Sequence, residues 1–399
     1  RAVATSAIGV PFVGRAAELA GLHRAFDDFE RWPRIVVVEG SSGVGKTQLV
    51  EHFLSLVTDQ HADAVVLTGR CFEREYVPFK ALDGIADSLA NHLAHRSTAE
   101  VAGVMPARPA LLGRLFPVLK RLEVVAAAPP VPDLGDPQDQ RGRMFAALRE
   151  LFLRMSMRHR LVWFIDDLQW TDGDSLILLA ELLAHEDRLP VLVIATCRTG
   201  DRGDASGSAA AWLRRIEAYA PVEAIALEPL SRDDARELAV KLLAGSDDAT
   251  AERIAADAGG HPMLLHELAR HVRTAQGTLP QGSSLTEMVR RRVDELDPSA
   301  QRLLEVVAIS GGPIAQGVAA MAAAMSSADQ LRATSLLRAA HLIRTDGVRR
   351  TDDVVCYHDR VRDVVDLRLD DERRRAVHER IAIALEQTGA ADRKSTRLN

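Results

Sequence analysis

Through the first half of the chain and slightly beyond, short apolar runs alternate with stretches whose apolar residues recur every three or four positions. The runs fall at 35–38, 64–67, 161–165, 191–195 and 222–227. They are apolar almost without interruption, as strands covered on both faces must be; a strand with one wet face would alternate. Between them, Leu19, Leu22 and Phe26, the run 46–57, and Phe145, Leu148, Phe152 and Met155 keep helical spacing. The pattern predicts an α/β domain, a parallel sheet flanked by helices.

Two stretches depart from it. Residues 98–137 carry seven of the chain's 17 prolines from Pro106 onward, so the end of this insertion reads as a linker. Leu111, Leu112, Leu115, Phe116 and Leu119 predict a short helical pair before it. After position 230 strand-like runs thin out. Ser231 stands where a helix cap belongs, with Asp234 three residues later in the place of a capping-box acid, and Ala235, Leu238, Ala239 and Leu242 make the stripe that follows. Residues 342–343 and 354–357 around Asp346-Gly347 predict a hairpin after a further helical stretch, the outline of a winged helix. The expected organisation is a lead at 1–33, an α/β domain at 34–230, an all-helical domain at 231–296, a winged-helix domain at 297–370 and the start of another helical region at 371–399.

Composition narrows the class. A length of 399 residues allows about two to four domains. An apolar share of 47% supports large cores, and a net charge of −6 offers nucleic acid or an anionic membrane no global attraction. No apolar run reaches the roughly 18 residues that would span a bilayer, and the first ten residues lack a signal-peptide core. Cys71, Cys197 and Cys356 are too scattered for a zinc site or a disulfide framework, which fits a reducing cytoplasm. The chain begins with Arg1, and its last six residues hold Lys394 and Asn399 in a sequence otherwise poor in Lys and Asn; both ends read as those of a fragment with a non-native tail.

The most informative stretch is GSSGVGKT at 40–47, which satisfies G-x-x-x-x-G-K-[ST] between a predicted strand and a predicted helix. Gly40, Gly43 and Gly45 allow a tight turn whose N–H groups face inward at phosphates. Lys46 supplies a cation for the β- and γ-phosphates and Thr47 a hydroxyl for Mg²⁺, while the following helix turns its positive end to the same anion. Val44 and Gln48 complete the expected nucleotide contacts. A second element, LVWFIDDLQW at 161–170, delivers two acids at a strand end. Asp166 is the expected metal carboxylate, acting through water because Mg²⁺ dehydrates reluctantly. Asp167 is the candidate to orient or deprotonate the attacking water. Arg198, at the end of VLVIATCR, is placed to sense the terminal phosphate. His261 in GGHP reads as structural, and Tyr357-His358-Asp359 sits where the hairpin returns to a helix.

FVGRAAEL, GSSGVGKT, FIDDLQW with Asp172 and Ser175 downstream, ATCR, LEPLSRDDA, GGHP and YHD occur in that order. Together they resemble the signal-transduction ATPases with numerous domains, the STAND class of P-loop proteins, and in particular the ATPase module of large bacterial regulators. The resemblance covers about residues 10–385. It implies ATP or ADP with Mg²⁺ as ligands, adenine-side contacts from Phe12, Val13, Gly14, Arg15 and Pro262, and a β-phosphate contact from His358, the histidine of an MHD-like motif in which Tyr357 replaces Met. It further implies self-association on activation, and fused kinase, cyclase or LuxR-type output domains and repeats beyond this fragment. Asp167 stands where fast ATPases of the class place Glu, one methylene longer, so slow hydrolysis is expected.

Two other classes compete. A DNA-acting ATPase of the origin-recognition type also carries a winged helix, but residues 332–375 hold eleven Arg against nine Asp or Glu, too even for a phosphate-tracking face. A small-molecule kinase would need an acceptor and one domain fewer. The V-A-I-K, H-R-D and D-F-G set of protein kinases is missing in that form; His358-Asp359-Arg360 is not that motif.

Overall fold

The computed structural model describes residues 11–29, 32–72, 78–132, 136–184, 188–198, 213–214, 216–217, 219–243, 248–274, 285–340, 342–345, 347, 349–357 and 359–395. The chain divides into two compact units, one of residues 1–71 and 76–279, the other of 72–75 and 280–399.

The first unit is built on five strands, β1 (Arg34–Gly40), β2 (Ala64–Arg70), β3 (Arg160–Asp166), β4 (Val191–Arg198) and β5 (Val222–Leu227). They form one sheet in the order β2-β3-β4-β1-β5, every neighbouring pair parallel. Burial follows position. The inner strands β1, β3 and β4 are buried at nearly every residue, whereas the edge strand β2 alternates half-buried and buried positions. An edge strand has less cover, and its sequence shows it.

Because successive side chains point to opposite faces, each strand feeds two cores. Val36, Val38, Phe164 and Ile194 join Leu22 and Phe26 of α1 (Ala16–Asp28) and Leu49 and Phe53 of α2 (Lys46–Gln60) on one face. Ile35, Val37, Trp163 and Val193 face the other way, toward α3 (Lys80–Ala94), α4 (Thr98–Val104), α5 (Ala110–Leu115), α6 (Glu123–Ala126), α7 (Pro137–Ser156) and α8 (Gly173–Leu183). Leu111, Leu112, Phe116, Leu119 and Val125 are buried in that second core, so the proline-rich stretch supplies packing as well as connection.

The first unit continues into three helices, α9 (Arg232–Leu243), α10 (Asp248–Ala258) and α11 (Pro262–Thr274). Ser231 caps the first: its Oγ accepts the Asp234 N–H at 3.1 Å. The box differs from the predicted one, because the Ser231 hydroxyl donates to Asp234 Oδ2 at 2.7 Å. Asp is too short to reach back to the cap's own N–H as Glu would.

The second unit holds α12 (Leu285–Asp294), α13 (Pro298–Ile309), β6 (Ile314–Ala315), α14 (Gln316–Ala322), α15 (Ser327–Ala339), β7 (Ile343–Thr345), β8 (Asp353–Cys356), α16 (Asp359–Arg368) and α17 (Asp371–Ser395). β7 and β8 pair antiparallel with Ile343 opposite Cys356, and β6 adds to the other edge of β8. Asp297 opens α13 by accepting the Ala300 N–H at 2.9 Å. No described helix is long and apolar enough to cross a membrane, and no disulfide is formed among the described residues.

Candidate functional site

In an open parallel sheet, ligands gather beyond the carboxyl ends of the strands, where the strand order reverses. Here β1 lies between β4 and β5 while its connection leads to β2, on the far side of β3 and β4. The chain leaves β1 at Gly40 and turns sharply through Gly43 at φ 82° and Gly45 at φ 99°, a region closed to most side chains. It enters α2 at Lys46.

Lys46 is 7% exposed. Its Nζ donates to the carbonyls of Gly40 at 2.8 Å and Ser41 at 3.0 Å, so the ammonium is folded against its own loop. Burial, the largest influence, pushes its pKa down; Asp167 and Asp166 push it up and Arg198 pushes it down. Asp167, Asp166 and Arg198 therefore all act on Lys46 at the strand ends. Arg198 is the register partner of Gly40, and its guanidinium lies 5.4 Å from the centre of the Trp170 ring.

Thr47 and Asp166, 119 positions apart, meet directly. The Thr47 hydroxyl donates to Asp166 Oδ1 at 2.9 Å, and the Thr196 hydroxyl donates to the same oxygen at 2.6 Å. Thr196 Oγ1 in turn accepts the Asp167 N–H at 2.8 Å, which fixes the turn after β3. Asp167 adopts the left-handed conformation, φ 59° and ψ 48°, which short polar residues such as Asp tolerate. Its two carboxylate oxygens are both engaged: Arg70 Nη2 donates to Oδ2 at 2.9 Å and Gln169 Nε2 to Oδ1 at 2.9 Å. Arg70 Nε also stands 3.6 Å from Asp166 Oδ2.

The donor set suits Mg²⁺. Thr47 Oγ1 and Asp166 offer hard oxygen ligands at the mouth of the phosphate loop, and among the described residues no group of three or more His, Cys, Asp or Glu could hold a metal by itself. Mg²⁺ characteristically uses one or two carboxylates together with phosphates and water rather than a full protein cage.

The remaining candidates lie around the loop. Val44 is fully buried, and Arg15 donates to its carbonyl at 3.3 Å and to that of Glu228 at 2.6 Å. Arg15 thereby ties the phosphate loop to the end of β5. Phe12 stacks on His52 of α2 with ring centres 4.1 Å apart. Val13 is buried, and a Cβ on Gly14 would meet Asp234 Cγ at 2.8 Å. Gln48 is half-buried in the first turn of α2. Pro262 faces Gly45: a Cβ there would stand 3.8 Å from Pro262 Cγ. Beside it the Met263 N–H donates to the Gly43 carbonyl at 3.3 Å. His358 lies outside the described residues.

Residues 11–194 match the family model of the AAA ATPase domain. Over this stretch the chain is similar to the AAA ATPase domain. Its P-loop fold recurs in a Pyrococcus horikoshii STAND protein with a tetratricopeptide repeat sensor, 16% identical, with a TM-score of 0.55 over 97% of this chain and 47% of that one. The chain thus spans about half the length of that protein. Weaker likenesses are to a Walker-type ATPase of Pyrococcus abyssi, 14% identical with a TM-score of 0.43 over 89% and 96% of the two chains, and to Drosophila ORC bound to DNA, 14% identical with a TM-score of 0.38 over 92% and 89%. Comparison with curated proteins gives no match.

Sequence reasoning missed three residues of this constellation: Arg70, Thr196 and Gln169. Arg70 and Thr196 share a signal with the acids that were found. Each is a polar residue closing an apolar strand, in LTGR and ATCR respectively, and the strand pairing sets Arg70 opposite Asp166.

Proposed function

We propose that this chain is the nucleotide-controlled module of a larger bacterial signalling or transcriptional regulator, binding ATP or ADP with Mg²⁺ and hydrolysing ATP slowly. The Thr47–Asp166 hydrogen bond carries the reading, because it brings the loop hydroxyl and the strand carboxylate together on the side of the loop where Lys46 sits. Loop N–H groups and Lys46 would bind the phosphates, and Thr47 and Asp166 would hold the metal. When bound, Mg²⁺ neutralises charge on the β- and γ-phosphate oxygens.

Asp167 accepts a proton from water as that oxygen bonds to the γ-phosphorus and the bond to the β-γ bridging oxygen breaks, leaving ADP and phosphate. Arg198 offsets charge on the departing phosphoryl group. Two features favour slow turnover. Asp is one methylene shorter than Glu, and about 1 Å of misplacement can cost on the order of 10²-fold. The carboxylate is also already bonded by Arg70 and Gln169.

Slow chemistry suits a switch. At a nucleotide level about 1,000 times Kd, binding stabilises the liganded arrangement by about 4 kcal/mol. Exchange of ADP for ATP shifts an equilibrium only by their difference in affinity for its two states. The order helix, strand, two helices and hairpin from α13 to β8 supports reading the second unit as a winged helix. Acids nearly balance the arginines over 332–375, and several arginines of the unit pair with acids: Arg368 with Asp294, Arg373 with Glu305, and Arg374 with Asp366 and Asp371. That favours a regulatory role over direct DNA binding. Self-association, a fused kinase, cyclase or DNA-binding output, C-terminal repeats and a cytoplasmic location complete the proposal; the signal-transduction and repeat-sensor description of the Pyrococcus horikoshii protein supports the signalling role and the repeats.

Chromatography of nucleotide released from the denatured protein tests the switch. Close to one ADP per chain, with turnover far below the roughly 10 s⁻¹ median of enzymes, is expected. A protein free of nucleotide and turning over at that median rate contradicts it.

A further inference from the structure

The turn at 259–263 reaches the phosphate loop with more than its proline. It is tightly fixed: Gly260 has φ 75°, a Cβ there would come within 2.3 Å of the Leu230 carbonyl oxygen, and the Leu230 N–H donates to the Gly260 carbonyl at 2.8 Å. The His261 N–H donates to the Ala258 carbonyl at 3.0 Å, and its own carbonyl accepts the Leu265 N–H at 2.9 Å. His266, one turn into α11, has its Nδ1 3.0 Å from the Pro262 carbonyl. The backbone of His261 is therefore held from both sides.

From this anchored position the imidazole Nε2 of His261 lies 3.2 Å from Ser41 Oγ, on the second residue of the phosphate loop. The carbonyl of the same Ser41 accepts the Lys46 ammonium at 3.0 Å. One residue thus carries the lysine on its main-chain oxygen and the histidine on its side-chain oxygen. Next to it, Met263 bonds the Gly43 carbonyl and lays its Sδ 3.1 Å from where a Gly43 Cβ would stand, so the turn cannot drift from the loop without breaking several contacts together.

We propose that His261 is a polyphosphate-binding residue: its imidazole donates to a terminal phosphate oxygen of a bound nucleoside di- or triphosphate, supplementing Lys46 from the helical side of the site. The inference rests on the nucleotide reading above. An imidazole can exchange a neutral hydroxyl partner for an anionic phosphate oxygen, and hydrogen bonds to charged groups are the stronger kind. This role also explains why the turn is rigid at the histidine, where a cap alone would need only the backbone.

Fluorescence titration of ADP, AMP and adenosine against the full chain, its His261→Ala and His261→Gln variants, and Lys46→Ala tests this. His261→Ala should weaken ADP by about ten-fold while changing adenosine less than about two-fold, with AMP between them and His261→Gln recovering part of the loss. Equal weakening of ADP and adenosine would show a clasp between turn and loop rather than a phosphate contact, and overturns the proposal. Unchanged ADP affinity in His261→Ala, when Lys46→Ala loses it, overturns this proposal and leaves the nucleotide reading standing. A wild-type protein that binds no ADP overturns both. If His261→Ala does not fold, His261→Gln against wild type is read by the same ratio of ADP to adenosine affinity.

Discussion

Arg70, at the end of β2, donates to Asp167 at 2.9 Å while its Nε lies 3.6 Å from Asp166, so one guanidinium spans the two acids that follow β3. Adjacent carboxylates at the end of a buried strand repel each other, and Asp166 is only 4% exposed. The arginine makes the pair tenable.

Removing that cation leaves two adjacent carboxylates without their shared guanidinium in a poorly solvated place, which costs more than the pair contributes. Arg70→Met should destabilise the protein by about 2–3 kcal/mol. Arg70→Met with Asp167→Asn should lose less than the sum of the two single changes, because the second removes one of the orphaned charges. Urea unfolding of the four proteins measures the coupling. Strict additivity would mean that the ion pair does not hold the acids in place.

Burial lowers the Lys46 pKa below its ordinary 10.5, outweighing the two acids that raise it. Bound phosphate favours the charged lysine and raises that pKa again. ADP affinity should therefore be level at low pH, begin to fall as pH rises through the lysine's lowered pKa, and go on falling until the pKa of the complex is reached. Titrations between pH 7 and 10 check the sign, and Lys46→Met should be weak and flat across that range.

Asp172 does structural work close to the site. Its carboxylate accepts the Ser175 N–H at 2.7 Å at the start of α8 and the Lys80 N–H at 2.9 Å at the start of α3, so one side chain caps two helices. Burial pushes its pKa up, but the hydrogen bonds from Ser175, Lys80 and Phe79 outweigh this and hold it below the usual carboxylate range. Asp172→Ala should cost about 2 kcal/mol, roughly two caps' worth, seen as a lower denaturation midpoint with faster hydrogen exchange in the first turns of both helices. Fast exchange in one helix alone would argue against a shared cap.

His92 on α3 faces His159 with ring centres 6.4 Å apart. Burial first, then Arg96 and His159, lower its pKa from 6.5 to about 4. The unfolded chain binds this proton more readily than the folded one, so the neutral histidine's contribution is complete above pH 6.5 and is lost as pH falls toward 4. His92→Gln should flatten that part of the stability profile, measured by denaturant midpoints from pH 7 to 4.

Much of this was legible in the chain. Strands buried on both faces announce themselves as unbroken apolar runs, and GSSGVGKT and IDDLQW state their chemistry locally. The links between segments were harder to read. That Thr196 would share an oxygen of Asp166 with Thr47 depends on the β1-β4-β3 order, which no local pattern encodes. Asp172 and Ser175 stood out as motif residues, yet their partners at 79–81 became evident only in three dimensions. Arg15, expected beside the adenine from its motif, joins Val44 to Glu228 through a contact that depends on where β5 ends.

The nucleotide site itself is tested most directly by calorimetric titration of Mg²⁺ and ADP into the nucleotide-stripped full chain, beside Lys46→Ala and Asp166→Asn. Saturable binding at one site per chain is expected, lost in Lys46→Ala and less dependent on Mg²⁺ in Asp166→Asn. Binding that survives unchanged in Lys46→Ala, or no binding by the wild-type protein, would contradict a phosphate site built from this loop and its neighbouring carboxylate.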